Sequence, residues 1–208
     1  MMNKFKKAIE IFDGWALNDK DIGMEENHTF AVEKMLKHIT KTKNSPFSFI
    51  DAGCGNGWVV RKIKSYHFCE KAIGVDGSKE MILKAKRHDP KGSYIQAELM
   101  NWNPESKVDV VHSMEVLYYF NNPQKLIEHI VENWLSNSGM LISGMDYYKE
   151  NPNSHSWPDD LNTRMTLLSI KDWIKVFKRC GLENIETFQT NSSIDFLGTL
   201  IIFGKKSK

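Results

Sequence analysis

Apolar and polar positions change rhythm several times along the chain. The apolar run at 47–50 reads as a buried strand, after which Val59, Val60 and Ile63 recur at helical spacing. Residues 72–75 read as a second strand, running into a helix that Ser78 caps and that carries Met81, Ile82 and Ala85 on one side. A short strand is predicted at 93–96 and a longer one at 108–113. Asn122 and Pro123 supply a cap and a first-turn proline for the clearest helix, whose stripe is Leu126, Ile127, Ile130, Val131 and Trp134. Residues 139–145 predict another buried strand. Ser169 caps a helix with Ile170, Trp173, Ile174 and Phe177 inward, and Gly181 stands where a left-handed terminus needs glycine. Two closing strands, 184–188 and 198–203, are near enough in sequence to pair antiparallel.

Strands alternating with helices imply an α/β fold, with a parallel sheet covered on both faces and right-handed crossovers. The last two strands break the alternation, so one edge of the sheet is expected to be mixed. Two stretches stand outside the scheme. Residues 1–44 are mostly helical and precede the first strand; residues 146–168 are polar, aromatic and irregular, between the fifth strand and its helix. Ligands of open α/β sheets lie beyond the carboxyl ends of the strands. The two stretches are therefore expected as an N-terminal helical cap and an inserted lid within one domain spanning 1–208.

Composition supports this picture. With 208 residues, 41% of them hydrophobic, 13 glycines and 6 prolines, the chain can bury one full core. A collagen-like or disordered chain is excluded. The 28 Lys and Arg against 26 Asp and Glu leave a net charge of +2, which gives no basic face for a polyanion. Cys54, Cys69 and Cys180 are odd in number and widely spaced, so neither a disulfide framework nor a thiolate metal site is expected. No apolar run approaches the ~18 residues of a membrane span. The opening MMNKFKKAIEIFDGW has no signal-peptide core. A soluble cytoplasmic protein with no membrane or metal is the expectation.

The candidate chemistry begins at Asp51-Ala-Gly53-Cys-Gly55-Asn-Gly57, a strand-to-helix turn. Glycines there permit positive φ and close approach of a ligand to the backbone, and the next helix aims free N–H groups at it. The dinucleotide pattern G-x-G-x-x-G lacks its third glycine because Trp58 occupies that position, and there is no G-K-[ST] of a P-loop. Asp76 follows the second strand, 19 residues beyond Gly57. That is close to the ~20-residue interval at which such folds place a carboxylate on a ribose, where it accepts two hydroxyls in charge-assisted hydrogen bonds.

On these residues the chain resembles the class I S-adenosylmethionine-dependent methyltransferases, from about residue 46 to the C-terminus. Asp51, Gly53, Gly55 and Gly57 match the family's first motif, which lies along the methionine part of the cofactor. Asp76 matches the acid that binds the ribose hydroxyls, with Gly77 and Ser78 beside it. Glu98, with Leu99, matches the acidic position facing the adenine amino group, where the family more often has Asp. The segment from Val108 through Ser113 to Tyr118 and Tyr119 resembles the fourth motif, where cofactor and substrate meet. The resemblance implies a doubly wound, Rossmann-like, seven-stranded sheet with an antiparallel last strand. It implies S-adenosyl-L-methionine as cofactor and places the chain nearest the small-molecule branch, with the cap and insert forming the acceptor pocket.

Methyl transfer from a sulfonium is an in-line displacement that asks the protein to position, desolvate and exclude water. A general base is required only when the acceptor must lose a proton. Tyr118 is expected to line the transfer site, and His28 or His155 to position the acceptor or act as base. Cys54 reads as a turn-filling side chain and His112 as a packed histidine. Ser113-Met-Glu-Val differs from the Asn/Asp-Pro-Pro-aromatic motif of adenine amino-methyltransferases, and the spaced cysteines argue against arsenite methylation. The expected activity is methylation of a small molecule. Its alternatives are a non-catalytic S-adenosylmethionine-binding module and an RNA-directed methyltransferase.

Overall fold

The computed structural model describes residues 5–207. Two helices, α1 (Ala8–Leu17) and α2 (Asp21–Thr42), precede β1 (Phe47–Ala52), α3 (Trp58–Ile63), β2 (Cys69–Asp76), α4 (Lys79–His88), β3 (Ser93–Gln96) and β4 (Val108–Met114). Then follow α5 (Pro123–His129), β5 (Leu135–Met145), a one-turn helix α6 (Trp157–Asp160), α7 (Ile170–Arg179), β6 (Leu182–Thr190) and β7 (Thr199–Lys206). The strands form one seven-stranded sheet in the order β3-β2-β1-β4-β5-β7-β6. Pairs among β3, β2, β1, β4 and β5 are parallel, and β7 runs antiparallel to both β5 and β6. This is the Rossmann-like α/β architecture with an antiparallel last strand.

The central strands are covered on both faces, which is why β1 and β4 read as nearly continuous apolar runs. On one face Trp134, Trp173 and Phe177 pack with Ile50, Val111 and Ile202. On the other, Val32, Met35, Leu36 and Ile39 of α2 join Val60 and Ile63 of α3 against Phe49 and Val110. Those four α2 residues recur at helical spacing and are fully buried. The later half of α2 is therefore a layer of the core, and only α1 and the first turns of α2 rim the carboxyl edge of the sheet. Residues 1–4 of the expected cap lie outside the described residues.

Local signals hold where their chemistry is complete. Ser78 Oγ accepts from Met81 N, Ser169 Oγ from Asp172 N, and Asn122 caps α5 through Lys125 N. Gly181 has φ +80°. One expected helix ends early: after His129 the chain widens into a π-turn over Ile130–Trp134, and β5 starts at Leu135 rather than near 139. The π-turn lets Trp134 Nε1 donate to Trp102 O at 2.9 Å, so a tertiary bond completes what the helical stripe began.

The 146–168 stretch folds over the carboxyl edge and is tied down at both sides. Thr166 donates through N to Tyr118 O and through Oγ1 to Phe120 O, both at 2.7 Å. Lys6 N donates to Asn162 O, and Thr163 Oγ1 to Lys6 O, both at 2.8 Å. The segment before α1 and the insert therefore meet above the sheet edge. Among the described residues no helix is long and apolar enough to cross a membrane.

Candidate active site

The turn after β1 carries Gly53, Gly55 and Gly57 at φ +79°, +51° and +79°. All three adopt the left-handed backbone that side chains resist, but only one faces open space. A Cβ on Gly53 would run into Val116, and one on Gly57 into the ring of Tyr94; a Cβ on Gly55 would meet nothing nearer than Met81 Sδ at 3.9 Å. Gly53 and Gly57 are close-packing positions, and Gly55 is where a ligand can approach the main chain.

Asp76 ends β2 with its carboxylate in the same hollow. Oδ2 accepts from Gly55 N and Oδ1 from Ser78 N, each at 2.8 Å. Burial pushes this carboxyl up to about 6, and the charges of Asp51 and Asp13 add to it, despite the two N–H bonds. Each oxygen keeps lone-pair capacity for a further donor, which suits a pair of hydroxyls.

The hollow bounded by Gly55, Asp76, Gly77 and Leu99 is a neck of 110 Å³ roofed by Ile9 and Phe12 of α1. At Glu98 it meets an outer cleft of 810 Å³ shared with Ile9, Tyr119 and Phe120. At Glu115 and Met24 it meets a cavity of 570 Å³ lined by Trp15, Tyr118, Asp146 and Trp157. An elongated ligand fits this path better than a compact one, because the neck alone is below the ~300 Å³ of ordinary ligand pockets.

At the inner junction, Glu115 follows β4 in a left-handed conformation, φ +58°, and is buried. Its Oε2 accepts from Tyr118 Oη and its Oε1 from Asp146 N, both at 2.6 Å. His28 Nδ1 donates to Met24 O at 2.8 Å, and its Nε2 lies 3.7 Å from Asp146 Oδ2, an ion pair longer than a hydrogen bond. Asp146 Oδ1 is buried and has no hydrogen-bond partner. Burial, with the charge of Asp146, pushes Glu115 up to about 8, although His28 and Tyr118 pull it back. Burial opposes the charged form of His28, yet Asp146 and Glu115 outweigh it and raise the imidazole to about 9. Ligand atoms of His28, Glu115 and Asp146 lie within 4.8 Å of one another. Such a group can hold a cation or exchange a proton.

Several predicted site residues are spent elsewhere. Asp51 Oδ1 accepts from His112 Nδ1 at 2.7 Å across the β1–β4 pair, with both side chains buried, which confirms His112 as a packed histidine. Asp51 does not line the neck, but it does line an adjoining cavity of 40 Å³ with Gly53, Gly55, His28 and Glu115. Ser78 Oγ, buried, donates to Asp13 Oδ1 at 2.6 Å, and Ser113 Oγ to Ala52 O at 3.1 Å, so both hydroxyls serve the fold. Gly57 does not reach the hollow. His155 is exposed on the insert and does not line the cavity. Tyr118, His28, Asp76, Gly53, Gly55, Gly77, Glu98 and Leu99 do converge on the path. Sequence reasoning gave no role to Glu115 or Asp146. Each is the first residue after a parallel strand, and the rule that ligands sit beyond strand carboxyl ends was the signal available for both.

Residues 25–187 match the family model described as a methyltransferase domain. Trans-aconitate 2-methyltransferase of Klebsiella pneumoniae is 25% identical over 142 residues, 64% of this chain, and the chain spans only 55% of that relative's length. Among solved structures, a chain from the complex of the Haloferax volcanii Trm112 methyltransferase activator with a methyltransferase superposes with a TM-score of 0.81 at 24% identity, covering 99% of this chain and 100% of that one. The N-methyltransferase NodS of Bradyrhizobium japonicum, with S-adenosyl-L-homocysteine bound, gives 0.68 at 16% identity, covering 88% and 87%. The chain belongs to the methyltransferase-domain family, and its fold is that of these solved methyltransferases.

Proposed function

We propose that this enzyme methylates a small molecule held in the cavity beside Glu115, and that the cofactor lies along the path from Glu98 to Glu115. The observation that carries the reading is the continuity of that path. The glycine-turn hollow and the aromatic cavity share the wall made by Glu115 and Met24. The residues present fit the cofactor. Gly55 leaves room at the main chain, Asp76 has lone pairs for two ribose hydroxyls, and Glu98 with Leu99 stands where the nucleoside would leave the neck. When bound, S-adenosylmethionine supplies a methyl carbon activated by its sulfonium. Residues 8–28 and 146–168 act as cap and lid, with Phe12, Trp15 and Trp157 excluding water from the acceptor.

Ser78 and Ser113 support this site from behind, through the α4 cap and the β4–β1 strand ends, while Asp51, held by His112, lines the small cavity beside Gly55 and Glu115. The acceptor differs in charge from that of the curated relative. Trans-aconitate is a polycarboxylate, whereas here Glu115, Asp146 and Asp160 face the cavity, with Lys20 and His28 as its cationic groups among the described residues. Calorimetric titration with S-adenosyl-L-homocysteine tests the cofactor assignment. Wild-type protein is expected to bind and Asp76→Ala to lose at least ~1.5 kcal/mol of affinity while staying folded; unchanged affinity in the folded variant rejects the assignment.

A further inference from the structure

We propose that the acceptor is a basic amine whose nitrogen docks between the carboxylates of Asp146 and Glu115. The inference rests on the cofactor path described above and deepens it. Three independent features of the cavity point to a cation. The first is the unmet acceptor: Asp146 Oδ1 is buried without a hydrogen-bond partner, and its other oxygen is 3.7 Å from His28, beyond hydrogen-bond range. A buried carboxylate oxygen left bare is costly, and an N–H donor from a ligand removes that cost.

The second feature is the wall. Phe12, Trp15, Tyr118, Tyr119 and Trp157 line the cavity, and ring faces attract a cation that has been taken out of water. Tyr118 and Tyr119 lie with centroids 4.6 Å apart, and Phe12 meets Tyr119 edge-on at 5.4 Å, so the aromatic surface is continuous. The third is position. Glu115 borders both the hollow with Gly55 and the aromatic cavity, so a nitrogen beside it would stand next to the cofactor's end of the path. Its left-handed backbone directs the carboxylate there, and Tyr118 holds it in place.

An ammonium has no lone pair to attack with. In the transfer, the amine first gives one N–H proton to Glu115, and its freed lone pair then forms the N–C bond to the methyl carbon. The S–C bond breaks with its electron pair left on sulfur, so the cofactor becomes a neutral thioether and the product amine carries the positive charge. A carboxyl raised by burial to about 8 is better matched to taking a proton from an amine than an ordinary carboxylate is.

Binding separates this proposal from the reading beneath it. Protein saturated with S-adenosyl-L-homocysteine is titrated with phenethylamine and tryptamine, with the alcohols of matched shape, and with the matching carboxylic acids. Calorimetry reports the binding of every member, and quenching of tryptophan emission reports it as well for the phenethyl series. The amines are expected to bind at least about tenfold tighter than their alcohols. Asp146→Asn and Glu115→Gln should each erase that preference, and Asp146→Asn, which lies outside the cofactor hollow, should leave affinity for S-adenosyl-L-homocysteine within about twofold. Equal binding of amine and alcohol, tighter binding of the acids, or no binding of any member by the loaded protein overturns the amine assignment. Failure of S-adenosyl-L-homocysteine itself to bind overturns the cofactor path instead.

Discussion

The hydroxyl of Tyr118 donates to Oε2 of Glu115 at 2.6 Å, and both side chains are buried. The pair lies three residues apart: Glu115 is the first residue after β4, and Tyr118 sits in the 3₁₀ turn Leu117–Tyr119 that begins two residues later. The turn thus converts a strand end into a fixed carboxylate at the wall shared by the two halves of the site. Tyr118 holds the Glu115 carboxylate in place and lines the aromatic cavity beside it.

Tyr118→Phe leaves one oxygen of a buried carboxyl without its donor. Such a loss costs about 1–3 kcal/mol, and urea unfolding should show it. The hydroxyl also favours the charged form of Glu115, so its removal should raise the Glu115 pKa further. The low-pH limb of the activity profile then moves to higher pH, a shift that a purely structural role would not produce.

Affinity for S-adenosyl-L-homocysteine should depend on pH through Asp76. Hydroxyl donors bind the ionised carboxylate best, and the carboxyl titrates at about 6 in the empty protein. Affinity is therefore expected to be flat above about pH 7 and to fall as pH drops below 6, by up to tenfold per pH unit. Asp76→Asn should bind weakly with a flat profile. In the empty protein the linkage has the opposite sense. Folded Asp76 holds its proton up to about 6 rather than 3.8, so over that window stability falls as pH rises, and Asp76→Asn should flatten this loss in calorimetric scans.

The glycines of the turn should separate by consequence. Gly55→Ala places a methyl in ligand space at φ +51°, costing about 1–2 kcal/mol of stability while weakening cofactor binding tenfold or more. Gly57→Ala drives its Cβ into the Tyr94 ring, so about 3 kcal/mol of destabilisation is expected. Thermal melts with and without S-adenosyl-L-homocysteine read both effects. Equal melting temperatures for the two variants would contradict the packing described here.

The start of α2 depends on a buried ion pair. Lys84 Nζ lies 2.7 Å from Asp21 Oδ1 and 2.5 Å from the exposed Asp19, while Asn56 Nδ2 donates to Asp21 Oδ2 at 2.9 Å. Asp21→Ala should cost about 3 kcal/mol, the low end for a broken buried pair, because Asp19 still neutralises Lys84. Since Met24 and His28 follow within two turns, the variant should also weaken acceptor binding more than cofactor binding.

Much of this architecture was legible in the chain itself. Apolar runs, serine caps and the proline of α5 are local codes, and each is satisfied by backbone groups within a few residues. The glycine turn and Asp76 were legible for the same reason: the turn needs positive φ at set positions, and the acid sits at the next strand end. Local rhythm misled at Ile130–Trp134, where the helical stripe continues but the turn is a π-turn from which Trp134 bonds to Trp102.

The acceptor side was decided only by tertiary structure. His28, Glu115 and Asp146 lie on α2, after β4 and after β5, and no periodicity links them. Their meeting depends on β4 and β5 being sheet neighbours and on α2 packing its buried stripe across the opposite face. The same packing removes His155, Ser78 and Ser113 from the site, because side-chain direction at a fold's edge follows long-range contacts rather than residue type. The amino-acid order by itself determined the sheet, the glycine turn and the acid at the end of β2. The folded arrangement alone chose which carboxylates share a wall, because charges distant in sequence interact only once the apolar core has brought their strand ends together.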